Sequence, residues 1–336
     1  MIVENEKVFE YFTVLPAEVR MMIVDEMKAD DRCRFTRCSK LSQKEARSSK
    51  NYIYALSLRA YYENIIRIHI IHGNYNEEID GYDKMSSYKI VFEAKDDEKL
   101  MRCELINEKR LWEEKLDKSI DLVECAADYF KELLRLYQGK IKNLHFEGFL
   151  YEDKLKNYDF GVKNLRNLRE LKLESSMNIP EYFSKLRNPL KVLIVQGFVD
   201  REDITNCDEV YEVRDKFFMI NTKFTNEQML RLTAPIICFH IGKLTVMDIY
   251  NYIRSWQNGT IQNKKRWHTF WNMMNSSFDA TRLFRMLGVI KDEESPKDMH
   301  TFEIKHLKEA GKSAKLNYIN SRYQKELVFY SDRPEE

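Results

Sequence analysis

Gly311-Lys312-Ser313 ends like a phosphate-binding loop, in which backbone N–H groups and a lysine cradle a nucleotide. That loop needs another glycine five residues earlier, and position 306 is histidine. His69 and His72 lie three apart in a stretch that alternates like a strand. They therefore point to opposite faces, which does not suit shared metal binding. His300 and His306 are six apart. The six cysteines, at 33, 38, 103, 125, 207 and 238, form no Cys-x-x-Cys pair and no zinc or disulfide framework. No His-Glu-x-x-His or Gly-x-Ser-x-Gly motif occurs. These residues predict no enzyme, no metal and no cofactor, with thiols free in a reducing compartment.

Composition narrows the classes further. Lys plus Arg number 55 and Asp plus Glu 54, a net charge of +1, which speaks against a dedicated nucleic-acid binder. Lys264-Lys265-Arg266-Trp267 combines charge with an aromatic, and reads first as solvated surface. No basic, apolar leader opens the chain and no apolar run is long enough to span a bilayer, so the expected setting is cytoplasmic or nuclear, with no membrane partner. A hydrophobic content of 43% predicts a folded chain with a sizeable core.

The richest segment is residues 15–40, LPAEVRMMIVDEMKADDRCRFTRCSK. Pro16 suits a helix start because its missing N–H is not needed there. Glu18 in the first turn matches the helix dipole. Val19, Met22, Ile23 and Met27 share one helical face. Asp30 and Asp31 are caps for a second helix, in which Phe35, Cys38 and Leu41 form a rougher face. Such a pair could be a docking module or two ordinary core helices.

This segment resembles an F-box over about 25 gapless positions. Leu15, Pro16, Glu18, Val19, Ile23, Met27, Asp31, Phe35, Cys38 and Ser39 sit where that family has Leu-Pro, an acid, apolar anchors and Val-Ser. The resemblance implies docking onto a Skp-type adaptor, and through it a cullin–RING ubiquitin ligase, by Leu15, Pro16, Val19, Ile23, Met27, Phe35 and Cys38. Arg32 stands where the family usually has leucine and Ser42 where it often has tryptophan, which implies a weaker contact from the second helix.

The elements beyond it alternate between two patterns. Ile66, Ile68 and Ile70, then Tyr88, Ile90 and Phe92, then Met101, Cys103 and Leu105 predict a small antiparallel meander. His72-Gly73-Asn74 ends its first strand, and 74–87 and 96–99 read as polar turns. A helix is predicted over 119–138, with Leu122, Ala126, Tyr129, Phe130, Leu133, Leu134 and Tyr137 inward and Gly139 after it.

A repeat follows. Ile141-x-x-Leu144-x-Phe146, Leu168-x-x-Leu171-x-Leu173 and Leu190-x-x-Leu193-x-Val195 share the core of a leucine-rich repeat, with weaker copies at Phe217, Ile236 and Trp267. Each strand would pair in parallel with the next, with helices or turns such as 225–233 and 245–256 between. Thr225 and Gln228 make a capping box. Leu244-Thr245-x-x-Asp248-Ile249-x-Asn251-Tyr252-Ile253-x-x-Trp256-x-x-Gly259 resembles a motif of the F-box-associated domains in the large nematode F-box families. That resemblance implies substrate capture in this region, while its apolar face reads as core. Residues 281–287 look helical, 292–298 look like a loop, and 300–305, 316–319 and 326–330 look like short elements that close the repeats.

The expected architecture is α/β: an N-terminal helical F-box followed by an irregular leucine-rich-repeat-like solenoid. Its parts would be 1–50 (adaptor docking), 51–140 (meander and long helix), 141–275 (repeats) and 276–336 (cap). The expected role is substrate receptor for an unknown protein target. An adaptor-independent repeat scaffold is the alternative.

Overall fold

The computed structural model describes residues 12–27, 31, 35, 40–48, 52–61, 65–76, 81–95, 97–105, 110–137, 139–148, 153–156, 158–174, 176–196, 202–220, 224–240, 244–261, 269–273, 278–290, 299–320 and 325–331. The fold is α/β, and the chain divides into two compact units, Met1–Leu168 and Arg169–Glu336.

The first unit opens with α1 (Ala17–Glu26) and α2 (Lys40–Ser48). Its sheet contains β1 (Tyr52–Tyr61), β2 (Ile65–Asn76), β3 (Gly81–Lys95), β4 (Glu98–Leu105), β5 (Arg110–Leu116) and β6 (Ile141–Glu147), in the order β6-β1-β2-β3-β4-β5. Consecutive strands β1 to β5 are antiparallel, and β6 lies parallel to β1. Ile66, Ile68 and Ile70 are buried while their odd-numbered neighbours are half-buried, so the alternation read from the sequence separates the core face of β2 from its more accessible one. Helix α3 (Leu122–Leu136) covers the core face. Tyr129 meets Phe92 and Phe130 meets Phe146, edge to face, at 6.1 and 5.4 Å between ring centroids. Asp121 caps α3 by accepting from the Val123 and Glu124 N–H groups, and Gly139 follows it with φ +70°.

Three expectations need correction here. β2 runs through His72-Gly73-Asn74 to Asn76, with an irregular register between Gly73 and Tyr75. Glycine lets the strand bend at this point and does not end it. β3 starts at Gly81, inside the stretch expected to be a turn. β1 and β5 were not anticipated. β1 lies between two strands, and Ala55 and Ser57 are buried as well as Leu56 and Leu58, so its burial does not alternate. β5, at the sheet edge, is largely charged, as open edges often are.

The first unit ends with a short helix, α4 (Asp153–Lys156). Just before it, Gly148 has φ +81°, and a Cβ there would come within 2.0 Å of the Ala60 carbonyl oxygen. Only glycine fits this approach of the chain to β1.

The second unit is built on β7 (Glu170–Glu174), β8 (Val192–Gln196), β9 (Lys216–Ile220), β10 (Ile236–His240) and β11 (Thr269–Met273), each parallel to the next. Short helices come between them: α5 (Ile179–Phe183), α6 (Glu202–Thr205), α7 (Asn226–Arg231) and α8 (Val246–Gln257). The repeat positions Leu171, Leu173, Leu193 and Val195 are buried. The weaker copies expected to start at Phe217 and Ile236 are out of step with them: strand register sets Phe217 and Ile237 beside Leu171 and Leu193, so the inward residues are Phe217, Met219 and Ile237. Trp267 and the 292–298 segment lie outside the described residues. Helix α9 (Ala280–Leu287) then leads to β12 (Met299–Lys305), β13 (Ser313–Asn320) and β14 (Lys325–Ser331). These pair antiparallel with one another and, through β14, with β11.

Helices α7 and α8 use one device twice. Thr225 accepts from the Gln228 N–H and Thr245 from the Asp248 N–H, both at 3.2 Å, and each third residue's side chain accepts from the threonine N–H in return. An apolar residue precedes each cap, Phe224 or Leu244, and Met229 or Ile249 occupies the fourth helical position. All four are buried, as in a hydrophobic staple.

Candidate docking surfaces

Helix α1 starts at Ala17, with Pro16 as its N-cap, one residue ahead of the first-turn place that its sequence suggests, and the cap makes no side-chain hydrogen bond. Of α1 only Val24 is fully buried. The apolar face that periodicity assigned to it is open: Val19, Met22 and Ile23 are 39%, 68% and 38% exposed, and Val14 just before the helix is 77% exposed. Among the described residues only three other large apolar side chains are exposed, Tyr61, Met247 and Leu307, and they are scattered along the chain.

The anticipated docking residues fall into two groups. Pro16, Val19 and Ile23 are exposed, with Leu15 and Met27 half-buried beside them. Phe35 is buried, its ring 4.9 Å from Phe12 in an edge-to-face contact, so it supports the module from within. Cys38, Arg32 and Asp30 lie outside the described residues. Ser42 is buried at 1% exposure, which turns α2 inward.

Sequence reasoning missed the clasp between the two helices. Arg20 on α1 pairs through Nε with the buried carboxylate of Glu45 on α2, and its guanidinium also donates to the Thr13 and Leu15 carbonyls. No local pattern joins residues 20 and 45. Val14 was also missed, although an apolar residue next to Leu15-Pro16 was visible.

The second unit offers another surface. Strand register aligns Lys172, Ile194, Phe218, Cys238, Trp271 and Val328 across β7 to β11 and β14. Ile194, Phe218 and Val328 are half-buried, whereas their sequence neighbours Leu193, Phe217, Leu327 and Phe329 are buried on the other face. Cys238 is buried, and that burial pushes its thiol pKa up to about 12, so it behaves as a small apolar group.

The motif helix α8 instead turns its apolar face inward. Ile249, Tyr252, Ile253 and Trp256 are buried, and Trp256 meets Phe329 and His306 edge-on at 5.2 and 5.1 Å. Gln257 donates to the Lys305 carbonyl at 3.1 Å and its own carbonyl accepts from the Leu307 N–H at 2.9 Å, tying α8 to the β12–β13 turn. His306 organises that turn: its Nδ1 accepts from the Lys308 and Glu309 N–H groups. Gly311-Lys312-Ser313 ends the same turn and leads into a strand, not a helix as a nucleotide loop would. Lys312 pairs with Glu309 at 3.1 Å.

Among the described residues no group of three His, Cys, Asp or Glu could hold a metal ion, and no helix is long and apolar enough to cross a membrane. The depression walled by Arg187, Asn188, Glu209 and Glu212 brings no nucleophile to a base. Comparison with protein-family models, with curated proteins and with solved structures finds no match to this chain.

Proposed function

We propose that the chain is a substrate receptor of a cullin–RING ubiquitin ligase, working in the cytoplasm or nucleus. An F-box-like N-terminal module centred on Leu15 to Met27 docks onto a Skp-type adaptor. The parallel strands act as an irregular leucine-rich-repeat-like solenoid whose half-buried residues Ile194, Phe218 and Val328 hold a protein target. The receptor supplies proximity and orientation and makes no bond itself.

One observation carries this reading. Four exposed apolar side chains, Val14, Val19, Met22 and Ile23, cluster in one short segment, and solvent-facing apolar clusters mark interaction sites. Their exposed parts amount to about two full side chains, on the order of 3–7 kcal/mol on burial. Association costs about 4–15 kcal/mol. The face therefore needs help from further contacts, and the predicted docking is of modest strength.

The test is co-purification of the adaptor with the intact chain, compared with Ile23→Asp. Adaptor recovery from the parent and at least tenfold less from the variant is expected. No recovery from either, or equal recovery from both, sinks the proposal. The inward placement of Phe35 and Ser42 favours a second reading, an adaptor-independent scaffold that binds its partners through the second unit alone. That reading expects Ile23→Asp to keep every partner of the parent.

A further inference from the structure

The face of the first unit's sheet opposite α3 carries a charge imbalance that the docking reading does not use. His69 sits on β2 with Ser57 of β1 on one side and Lys89 of β3 on the other. Arg67 is two residues along β2, on the same face, and Arg59 lies opposite Arg67 on β1. The carboxylates of this face are engaged elsewhere. Glu147 pairs with Arg59 at 3.3 Å, while Arg102 takes both Glu93 and Glu104, the residue across from Lys89. Among the described residues neither Arg67 nor Lys89 has a carboxylate partner.

Three further details give the imbalance a shape. The Arg67 guanidinium lies 4.6 Å from the ring centroid of Tyr61, which is 37% exposed. Stacking of this kind holds the plane of the guanidinium and leaves its N–H fork free, the geometry that grips phosphate oxygens in pairs. Arg67 and Lys89 are diagonal cross-strand neighbours, roughly 7–8 Å apart at the backbone, a gap that one tetrahedral anion fits. Beside them the His69 Nε2 is buried, and so is the Ser87 Oγ, two residues along β3 from Lys89 on the side away from Arg67; among the described residues neither atom has a hydrogen-bond partner. Burial first, then Arg59, Lys89 and Arg67, lower the His69 pKa to about 4, against an opposing pull from Glu147, so the imidazole is neutral at pH 7 and the three cations all act on one point.

We infer that this face binds a phosphate monoester between Arg67 and Lys89, over His69. The group is the same whether it comes from a phosphorylated peptide or from free phosphate. At neutral pH it brings a charge of about −1.5 to −2, which matches the two unmatched cations. The near-zero net charge of the chain disfavours nucleic acid as the source. The site is separate from the α1 face and holds whether or not that face docks an adaptor.

The experiment follows the His69 ring and the β2 and β3 amides by NMR in the full chain at pH 7. The probes are inorganic phosphate, a glycine-flanked phosphoserine peptide, the same peptide without phosphate, and a single-stranded RNA. Phosphate and the phosphopeptide should shift those signals, and the unmodified peptide should not. The His69 titration midpoint should rise from about 4 when phosphate is bound. Arg67→Gln and Lys89→Gln should each weaken binding at least tenfold. Arg110→Gln, on the exposed edge strand, should not change it, and unchanged melting curves will show that the variants fold. Tighter binding of the peptide than of free phosphate identifies a phosphorylated chain as the source, and equal binding identifies the free anion. Undiminished binding by both Gln variants, no difference between the two peptides, or preference for RNA over both phosphate probes overturns the proposal.

Discussion

Helices α1 and α8 are written with the same pattern and end in opposite surroundings. In α1, Val19, Met22 and Ile23 recur at i, i+3 and i+4. In α8, Ile249, Tyr252 and Ile253 do the same. The α8 face is 0–2% exposed, and the α1 face is 38–68% exposed. Periodicity shows that a helix has an apolar face, but not what covers it. The cover comes from distant sequence: Phe329 and His306 meet α8, whereas among the described residues α1 is held at buried Val24 and by the pairing of Arg20 with Glu45, off its apolar face. A buried aromatic face contributes to stability, whereas an open one remains available for binding.

The sharpest way to break this contrast is to truncate the α8 anchor. Trp256→Ala should cost about 3–5 kcal/mol, because a buried indole is lost and the cavity is lined by rings that cannot close over it. Urea denaturation reads the loss directly. A cost under about 1 kcal/mol would mean that α8 is not held by its apolar face.

On the α1 side the clasp is the test. Glu45→Ala leaves Arg20 half-buried without its acid, and should cost about 1–3 kcal/mol. Hydrogen exchange should speed up in α1 and α2 while α8 keeps its protection. Uniform loss of protection across both helices would contradict separate anchoring.

His306 adds a pH test on the α8 side. Burial, with Lys312 and Lys308 nearby, lowers its pKa against the pull of Glu309, and its Nδ1 must stay unprotonated to accept two N–H groups. A depressed folded-state value means that the contribution is intact above the ordinary histidine value of about 6.5 and is lost as pH falls through the lower folded value. Amides of the 306–312 turn should therefore exchange faster on acidification below pH 6.5, after correction for intrinsic rates. His306→Ala should abolish that dependence and leave α1 unaffected. Thr245→Ala, which removes the α8 cap, should cost about 1 kcal/mol.

Much of the second unit was legible because its strands repeat one short apolar code and its helices carry their caps in sequence. Thr225 with Gln228 and Thr245 with Asp248 announce helix starts, and Leu171 and Leu193 mark the inward positions, while the weaker copies from Phe217 and Ile236 were read out of step because both faces of those strands are apolar. The first unit was harder. β1 is buried at consecutive positions and so shows no period, β5 is an edge whose charges resemble a loop, and Gly73 marks a bend that resembles an end. The Arg20–Glu45 clasp depends on tertiary structure alone, since nothing local ties the two residues. The candidate docking face was legible as a face, but its exposure was not, because the same residues would suit a core helix.

The smallest expected effect decides between those two roles. Met22 is 68% exposed, so Met22→Ser removes little buried area, and stability should change by no more than about 0.5 kcal/mol. A core helix would lose about 2–5 kcal/mol at such a position. Thermal melts of Met22→Ser beside Trp256→Ala put both predictions on one scale. If the two variants melt together, α1 is a core helix like α8, and its face is closed by contacts within the chain. If only the α8 variant falls, the α1 face is held open at almost no cost to the fold, which is what the docking proposal requires of it.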